Sequence, residues 1–389
     1  MTERARLLLE CGDEMPAIRP LLSRDPNGGA FALFAGRRVK YSFNTRTAIR
    51  EACDILRLVP GDQVLVPAYN CGSELDPLLD AGLDLQFYQV DRTTRPDLDD
   101  LERKITPATK AIYLIHYFGM LQPDAHAIRA LCEKNGLYLI EDCALSLLSG
   151  EVPAEGLAGD ISLFCFYKLL PVVAGGAIVL NSDRLEFDAE FDAAPPRSLV
   201  MKPYLRLALQ TVLGARNIRK IAMKRRRVSN DVPREPSTSE PDMPVGYYFD
   251  PALRRSRLSS YTKKALVGFD VMNVREKRRE NFATYQRMLK DEPGLVPLFP
   301  ELPSTDCPLS YPVLVNDRDG LARKLSVLGI AATPWWSGYN QKLDWGGFAD
   351  ARYLKDHILA LPCGQHLNET HITLISDEVK RGLSAVAQI

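Results

Sequence analysis

Two residues stand where chemistry is easiest to place, Asp142 and Lys168. Asp142 ends the run Leu137-Tyr-Leu-Ile-Glu-Asp142, and a carboxylate at the end of a buried strand lies at the ligand edge of a sheet. Lys168 ends Ile161-Ser-Leu-Phe-Cys-Phe-Tyr-Lys168, and Pro171 to Gly176 follow without a charge. A lysine in so apolar a setting loses hydration, which is expected to lower its pKa and sharpen its amine as a nucleophile. Each residue also has an ordinary reading. Asp142 could N-cap the segment after it, and Lys168 could snorkel from a strand end.

Taken together, the amine and the acid suggest pyridoxal phosphate. That cofactor needs a lysine for a Schiff base and an acid to keep its pyridine nitrogen protonated. It also needs a phosphate cradle, best supplied by free N–H groups at a helix start. Asn44-Thr-Arg-Thr47 opens a helical pattern and could provide one. A P-loop, GxGxxG after a strand, GxSxG and HExxH are all missing from the sequence, which removes the commonest nucleotide, hydrolase and metalloprotease readings.

The elements that must position these residues can be read from periodicity. Helical spacing covers Thr45–Leu58, Ser73–Ala81, Leu98–Ile105 and Asp124–Asn135, the last stopped by Gly136. Between them lie strand-like runs at Gln63–Pro67, Leu85–Val90, Ala111–Ile115, Leu137–Ile140, Ser162–Tyr167 and Ala177–Leu180. Such alternation predicts βαβ units and an α/β fold with a mostly parallel central sheet. The windows to inspect are then Pro67 to Ser73, His116 to Gly119, Glu141 to Leu145 and Tyr167 to Gly176. Further on, Ser259–Leu289 reads as one long polar helix, Gly320–Gly329 as a helix before a strand, and Glu378–Val386 as a terminal helix. The expected division is a large domain over residues 1–244 and a small C-terminal α+β domain over residues 245–389.

The landmarks Asn44-Thr-Arg-Thr-Ala-Ile49, Pro60 to Tyr69, Val90-Asp91, Arg95-Pro-Asp-Leu98, Ile115-His-Tyr-Phe-Gly119, Glu141-Asp-Cys-Ala144 and Gly159-Asp160 lead through Lys168 to Gly175-Gly176. In order and spacing they resemble the DegT/StrS-type aminotransferases, pyridoxal-phosphate enzymes of nucleotide-linked keto sugars. The resemblance is clearest from Asn44 to Leu180, with a fainter match near Lys277-Arg-Arg-Glu280 and Leu359-Ala-Leu-Pro362. It implies the aminotransferase fold (fold type I) and a homodimer whose partner completes the phosphate cup. It implies amino transfer from glutamate to a keto sugar, as in polysaccharide biosynthesis. Lys168 then holds the cofactor and moves the proton, and Asp142 partners the pyridine nitrogen. Arg46 and Thr47 hold phosphate, Cys71 falls where a ring usually stacks, with Tyr69 as a substitute, and Ala144 lies under the cofactor. Cys165 stands in place of a serine that touches phosphate. Departures include Thr45 for a glycine, Leu145 for Gln or His, and Tyr167-Lys-Leu-Leu-Pro171 for an Arg-Lys-Thr-Leu-Pro run. The alternatives are a related pyridoxal enzyme, such as a sugar dehydratase or an amino-acid enzyme, and a non-catalytic relative with an assembly or regulatory role.

Several features stand outside that constellation. His116 follows a buried strand and reads as a pocket residue or, more simply, a satisfied structural histidine. Trp335-Trp336, with Tyr339 and Asn340 behind them, read first as a core or domain-interface pair and second as a pocket wall. The eight cysteines show no CxxC or zinc spacing, so no metal site is expected and a reducing, cytoplasmic setting is. Acids within and after its short apolar run make the N-terminus unlike a signal peptide, and no run of about 18 apolar residues suggests a membrane span. Lys+Arg and Asp+Glu number 49 each, which argues against a surface built for nucleic acid. Ten basic residues and no acid lie between Asp192 and Asp231. That stretch is expected to be a basic helical insertion near 197–227, a solvated surface in the simplest reading, or else an anionic-membrane contact or a contact for a phosphorylated carrier. Four prolines in Val232–Pro244 suggest a linker.

Overall fold

The computed structural model describes residues 3–8, 11, 29–151, 154–203, 205, 249–340 and 343–384. Of the expected basic insertion, residues 197–203 are described and helical; the rest of it and the proline-rich linker lie outside the described residues, apart from residue 205.

The first sheet has seven strands: β1 (Arg38–Ser42), β2 (Gln63–Pro67), β3 (Asp84–Tyr88), β4 (Thr109–Ile115), β5 (Tyr138–Cys143), β6 (Ile161–Cys165) and β7 (Gly176–Leu180). Their order is β1-β7-β6-β5-β4-β2-β3. Neighbours from β3 to β6 pair in parallel, and β7 alone runs against both β6 and β1. Every residue of β2, β6 and β7 is buried, as continuous apolar runs covered on both faces must be.

The helix α1 (Glu3–Leu8) opens the chain but packs, through Leu8, on the second core; the helices around the first sheet are α2 (Thr45–Ile55), α3 (Asp76–Asp80), α4 (Leu98–Lys104) and α5 (Ala125–Asn135). Gly136 ends α5 at φ 65, the left-handed cap that glycine supplies without a Cβ clash. The core of this part packs Val64, Leu65, Ile112, Leu114, Leu139 and Leu163, all fully buried, against Ala48 and Ile49 of α2.

The second sheet is antiparallel, in the order β10 (Thr333–Pro334), β11 (Ile358–Pro362), β9 (Ser310–Val315), β8 (Leu295–Pro297). Around it lie α6 (Ser260–Leu266), α7 (Val271–Leu289), α8 (Arg318–Leu328), α9 (Ala349–His357) and α10 (Glu369–Ser384). The single polar helix expected over Ser259–Leu289 is therefore two. Ser259 and Asp270 each place a side-chain oxygen on an N–H three residues ahead, so each starts its own helix, and Gly268 lies in the break. The last helix starts nine residues earlier than expected, at Glu369. Gly119 joins the two sheets' surroundings at φ 92; a Cβ there would stand 2.0 Å from the Cys307 carbonyl oxygen.

Candidate active site

The start of α2 is built against β7. Asn44 caps the helix, its side-chain oxygen accepting the Thr47 N–H at 2.9 Å. Ser42 pairs with Gly176 across β1 and β7. A Cβ on Gly176 would lie 2.7 Å from the Thr45 nitrogen and 2.8 Å from the Asn44 carbonyl carbon. Glycine is therefore what lets the cap lie directly on β7. The first N–H groups of a helix lack intrahelical acceptors and carry its positive dipole end.

Asp142 is delivered by β5. Its Oδ2 accepts the Tyr113 hydroxyl at 2.7 Å and its Oδ1 accepts the Ala144 N–H at 2.8 Å. These two bonds fix the orientation of a buried carboxylate. Lys168 sits in a tight turn after β6, where Phe166 N–H bonds the Gly175 carbonyl at 3.0 Å and Leu170 N–H bonds the Phe166 carbonyl at 2.8 Å.

Lys168, Asp142, Arg46, Cys71, Ala144 and Cys165 line one cavity of about 600 Å³, together with Asn44, Thr45 and Leu145. Residues 333–338, from the second sheet's side, close it opposite. Thr47 is elsewhere. It is fully buried and its hydroxyl donates to the Leu253 carbonyl at 3.1 Å, so it supports the cap from behind. Tyr69 also lies behind the wall, its ring 5.3 Å from that of Trp336. Trp335 and Trp336 line the cavity as well as packing on Phe118, Tyr69 and Tyr117; core contact and pocket wall are one arrangement. Tyr339 packs edge-on to Trp345, and Asn340 donates to Asp76 at 3.0 Å.

His116 is outside the cavity. Its Nδ1 accepts the Gln122 N–H at 2.8 Å, so Nε2 carries the proton donated to Glu141 at 2.7 Å. Glu141 and Cys143 stand close by, but both imidazole nitrogens are spent on protein partners. The eight cysteines are all free and buried.

The expected direction for Lys168 is reversed. Burial does pull its pKa down, but the anionic forms of Tyr167, Cys165, Asp142 and Cys71 favour the ammonium more strongly, and the net shift is upward. Cys71 is itself pushed up to about 11, chiefly by burial, and Tyr167 to about 12, chiefly by the neighbouring Cys165.

Glu74 is a buried acid in the lining that the sequence did not single out, and Thr333, Ser337 and Gly338 join it. Glu74 is 7% exposed, and its Oε1 accepts the Cys71 N–H at 2.7 Å. Burial raises its pKa, ahead of the opposing Cys71 N–H. It falls one residue past the window after β2, and no motif marks it.

The residues fit pyridoxal phosphate. Amine, carboxylate and helix start converge on one cavity, and the missing Cβ at Gly176 is what lets the helix start approach. Arg46 and the α2 N-terminus would hold phosphate, Asp142 the pyridine nitrogen and Lys168 the aldehyde carbon.

The sequence model of the DegT/DnrJ/EryC1/StrS aminotransferase family matches residues 29–191. GDP-perosamine synthase of Vibrio cholerae is 32% identical over 146 residues, 36% of this chain and 39% of that protein. The dTDP-4-dehydro-2,3,6-trideoxy-D-glucose 4-aminotransferase of Saccharopolyspora spinosa is 38% identical over 123 residues, 31% of this chain and 32% of that protein. The matched stretch thus spans less than half the length of these relatives. A solved DegT DnrJ EryC1 StrS aminotransferase from Brucella abortus superposes with a TM-score of 0.62 at 19% identity, covering 98% of this chain and 95% of the other. By sequence over residues 29–191, and by fold along nearly all of its length, the chain matches the DegT/DnrJ/EryC1/StrS aminotransferases.

Proposed function

We propose that the protein is a pyridoxal-phosphate-dependent aminotransferase that moves an amino group, with glutamate as donor, onto a keto sugar linked to a nucleotide. The observation that carries this reading is the meeting of Lys168, Asp142 and the α2 start in one cavity. The names of the sequence relatives support the substrate class. When bound, the cofactor supplies an electron sink for the carbon that gains or loses a proton. Lys168 anchors and then carries that proton between the two reacting carbons. Asp142, held by Tyr113 and Ala144, keeps a proton on the ring nitrogen. Arg46 and the helix start balance the phosphate charge, and the Trp335–Trp336 wall excludes water.

The assembly is a homodimer in this reading. Tyr167 itself lines the cavity and is 47% exposed, and an exposed aromatic at the cavity rim suits a second subunit. Among the described residues no helix is long and apolar enough to cross a membrane, and we place the enzyme in the cytoplasm. The experiment is an absorbance spectrum with added pyridoxal phosphate, before and after glutamate, for wild type and Lys168→Ala. A band in wild type, missing in Lys168→Ala and bleached by glutamate, is expected. No band at saturating cofactor, or wild-type transamination by Lys168→Ala, overturns the reading.

A further inference from the structure

We propose that Lys355 is a positioning residue: its buried ammonium ties the loop carrying Cys71 to the aromatic segment that closes the opposite wall. What the cavity binds rests on the reading above; the tie itself does not. Lys355 lies on α9, is 0% exposed and is not part of the lining. Its Nζ donates to three backbone carbonyls, those of Asn70 at 2.7 Å, Gly338 at 2.9 Å and Trp336 at 3.1 Å. It also stands 5.0 Å from the ring centroid of Tyr339 and 5.3 Å from that of Trp345, within cation–π range.

Asn70 immediately precedes Cys71, and Trp336 and Gly338 themselves line the cavity. One ammonium therefore sets the spacing between the two walls. Removing such a charge from water is unfavourable unless acceptors converge on it, so the geometry of the three carbonyls is tied to the charge. An alkyl side chain of the same length would fill the space without requiring that convergence.

A second observation points the same way. Trp336 has φ 51, a left-handed conformation that a bulky residue rarely adopts and that persists where its surroundings enforce it. Its carbonyl is held by Lys355, while its ring packs 5.3 Å from Tyr69 and 5.7 Å from Tyr117. Trp345 adds a tie to the same loop, its indole N–H donating to the Ala68 carbonyl at 3.0 Å. The chain has three tryptophans, and Trp335, Trp336 and Trp345 all lie in this wall or against it, so selectively excited tryptophan emission reports on this region.

The test uses full-length protein with Lys355→Met, and Leu361→Ala as a control. Leu361 is fully buried in the second core and is not among the residues that line the cavity. In cofactor-free protein that remains folded by circular dichroism, Lys355→Met is expected to show red-shifted emission and greater acrylamide quenching; Leu361→Ala is expected to show neither. Pyridoxal phosphate is expected to bind Lys355→Met about tenfold more weakly, the scale of losing a charge-assisted hydrogen bond, with Lys355→Arg in between. Unchanged emission and quenching in folded Lys355→Met overturn the proposal, as does altered emission with wild-type cofactor affinity. Should Lys355→Met not fold, Lys355→Arg is judged by the same two readouts. Absence of any cofactor band in wild type would overturn the aminotransferase reading, while the cofactor-free tryptophan measurements still decide on the tie.

Discussion

Gly176→Ala tests whether the α2 start is the phosphate end of the cavity. The new Cβ would stand 2.7 Å from the Thr45 nitrogen, 2.8 Å from the Asn44 carbonyl carbon and 2.9 Å from the Ser42 hydroxyl. Two of these three are backbone atoms, so no side-chain rotation relieves the contact. Restoring an ordinary separation moves the cap by roughly 0.7 Å, a form of overpacking that typically costs about 1–3 kcal/mol. For a chain this long that lowers Tm by about 1–4 °C. The same displacement moves the helix N–H groups away from an anion. Loss of one charge-assisted bond weakens pyridoxal phosphate by roughly 10–100-fold. The assay is a titration of the cofactor band at 25 °C, where both proteins are folded, with pyridoxal lacking phosphate as the comparison ligand. The variant should lose affinity for the phosphorylated form and keep that for pyridoxal. Equal affinity of both proteins for pyridoxal phosphate would show that phosphate does not sit at this turn.

Four further outcomes follow from the geometry. Thr47→Val should lower stability by about 1 kcal/mol, since it strands the Leu253 carbonyl, and leave cofactor affinity unchanged; a large affinity loss would return Thr47 to the phosphate site. Because the Lys168 amine is held as an ammonium, the rate at which the cofactor band forms should rise about tenfold per pH unit above neutrality; a flat rate in stopped-flow between pH 7 and 9 contradicts this. Burial pushes the Glu141 pKa up, but the hydrogen bond from His116 and the Gly159 N–H outweigh it, and the net shift is downward. The Glu141 contribution is full above the unfolded carboxyl value of about 4.3 and is lost as pH falls through the lower folded value. The stability gap between wild type and Glu141→Gln in urea titrations should therefore shrink below about pH 4, and a constant gap refutes it. Gly119→Ala, with a Cβ 2.0 Å from the Cys307 carbonyl oxygen at φ 92, should cost more than about 3 kcal/mol in a thermal melt.

Much of the first sheet was legible because burial on both faces leaves uncharged apolar runs between helices of ordinary length. The strands that lead to Asp142 and Lys168 followed from such runs, but not their ends: β5 continues past Ile140 to Cys143, and β6 stops at Cys165, short of Tyr167, leaving Lys168 in the turn beyond it. β1 was not seen: Arg38-Val-Lys-Tyr-Ser42 carries two cations, and Lys40 is buried only because it pairs with Glu51 and stacks near Phe187 and Phe191. Helix periodicity could not show the break at Gly268, since Ser259 and Asp270 look like any polar residues until their side chains meet a free N–H. Thr47 was placed in the right turn and on the wrong side of it, because orientation around a cap depends on Leu253, some two hundred residues away. The charge state of Lys168 depends on Tyr167, Cys165, Asp142 and Cys71 acting together against burial, which apolarity along the chain does not reveal.

The two cavity walls also have a history in time. Lys355 and Asn70, joined by one hydrogen bond, are 285 residues apart. During synthesis the sheet bearing Asp142 and Lys168 is complete long before Trp336 leaves the ribosome, and N-terminal regions fold first. The nascent chain then presents an open tray rather than a pocket. The final third of translation supplies the aromatic wall of residues 333–338 that closes the cavity.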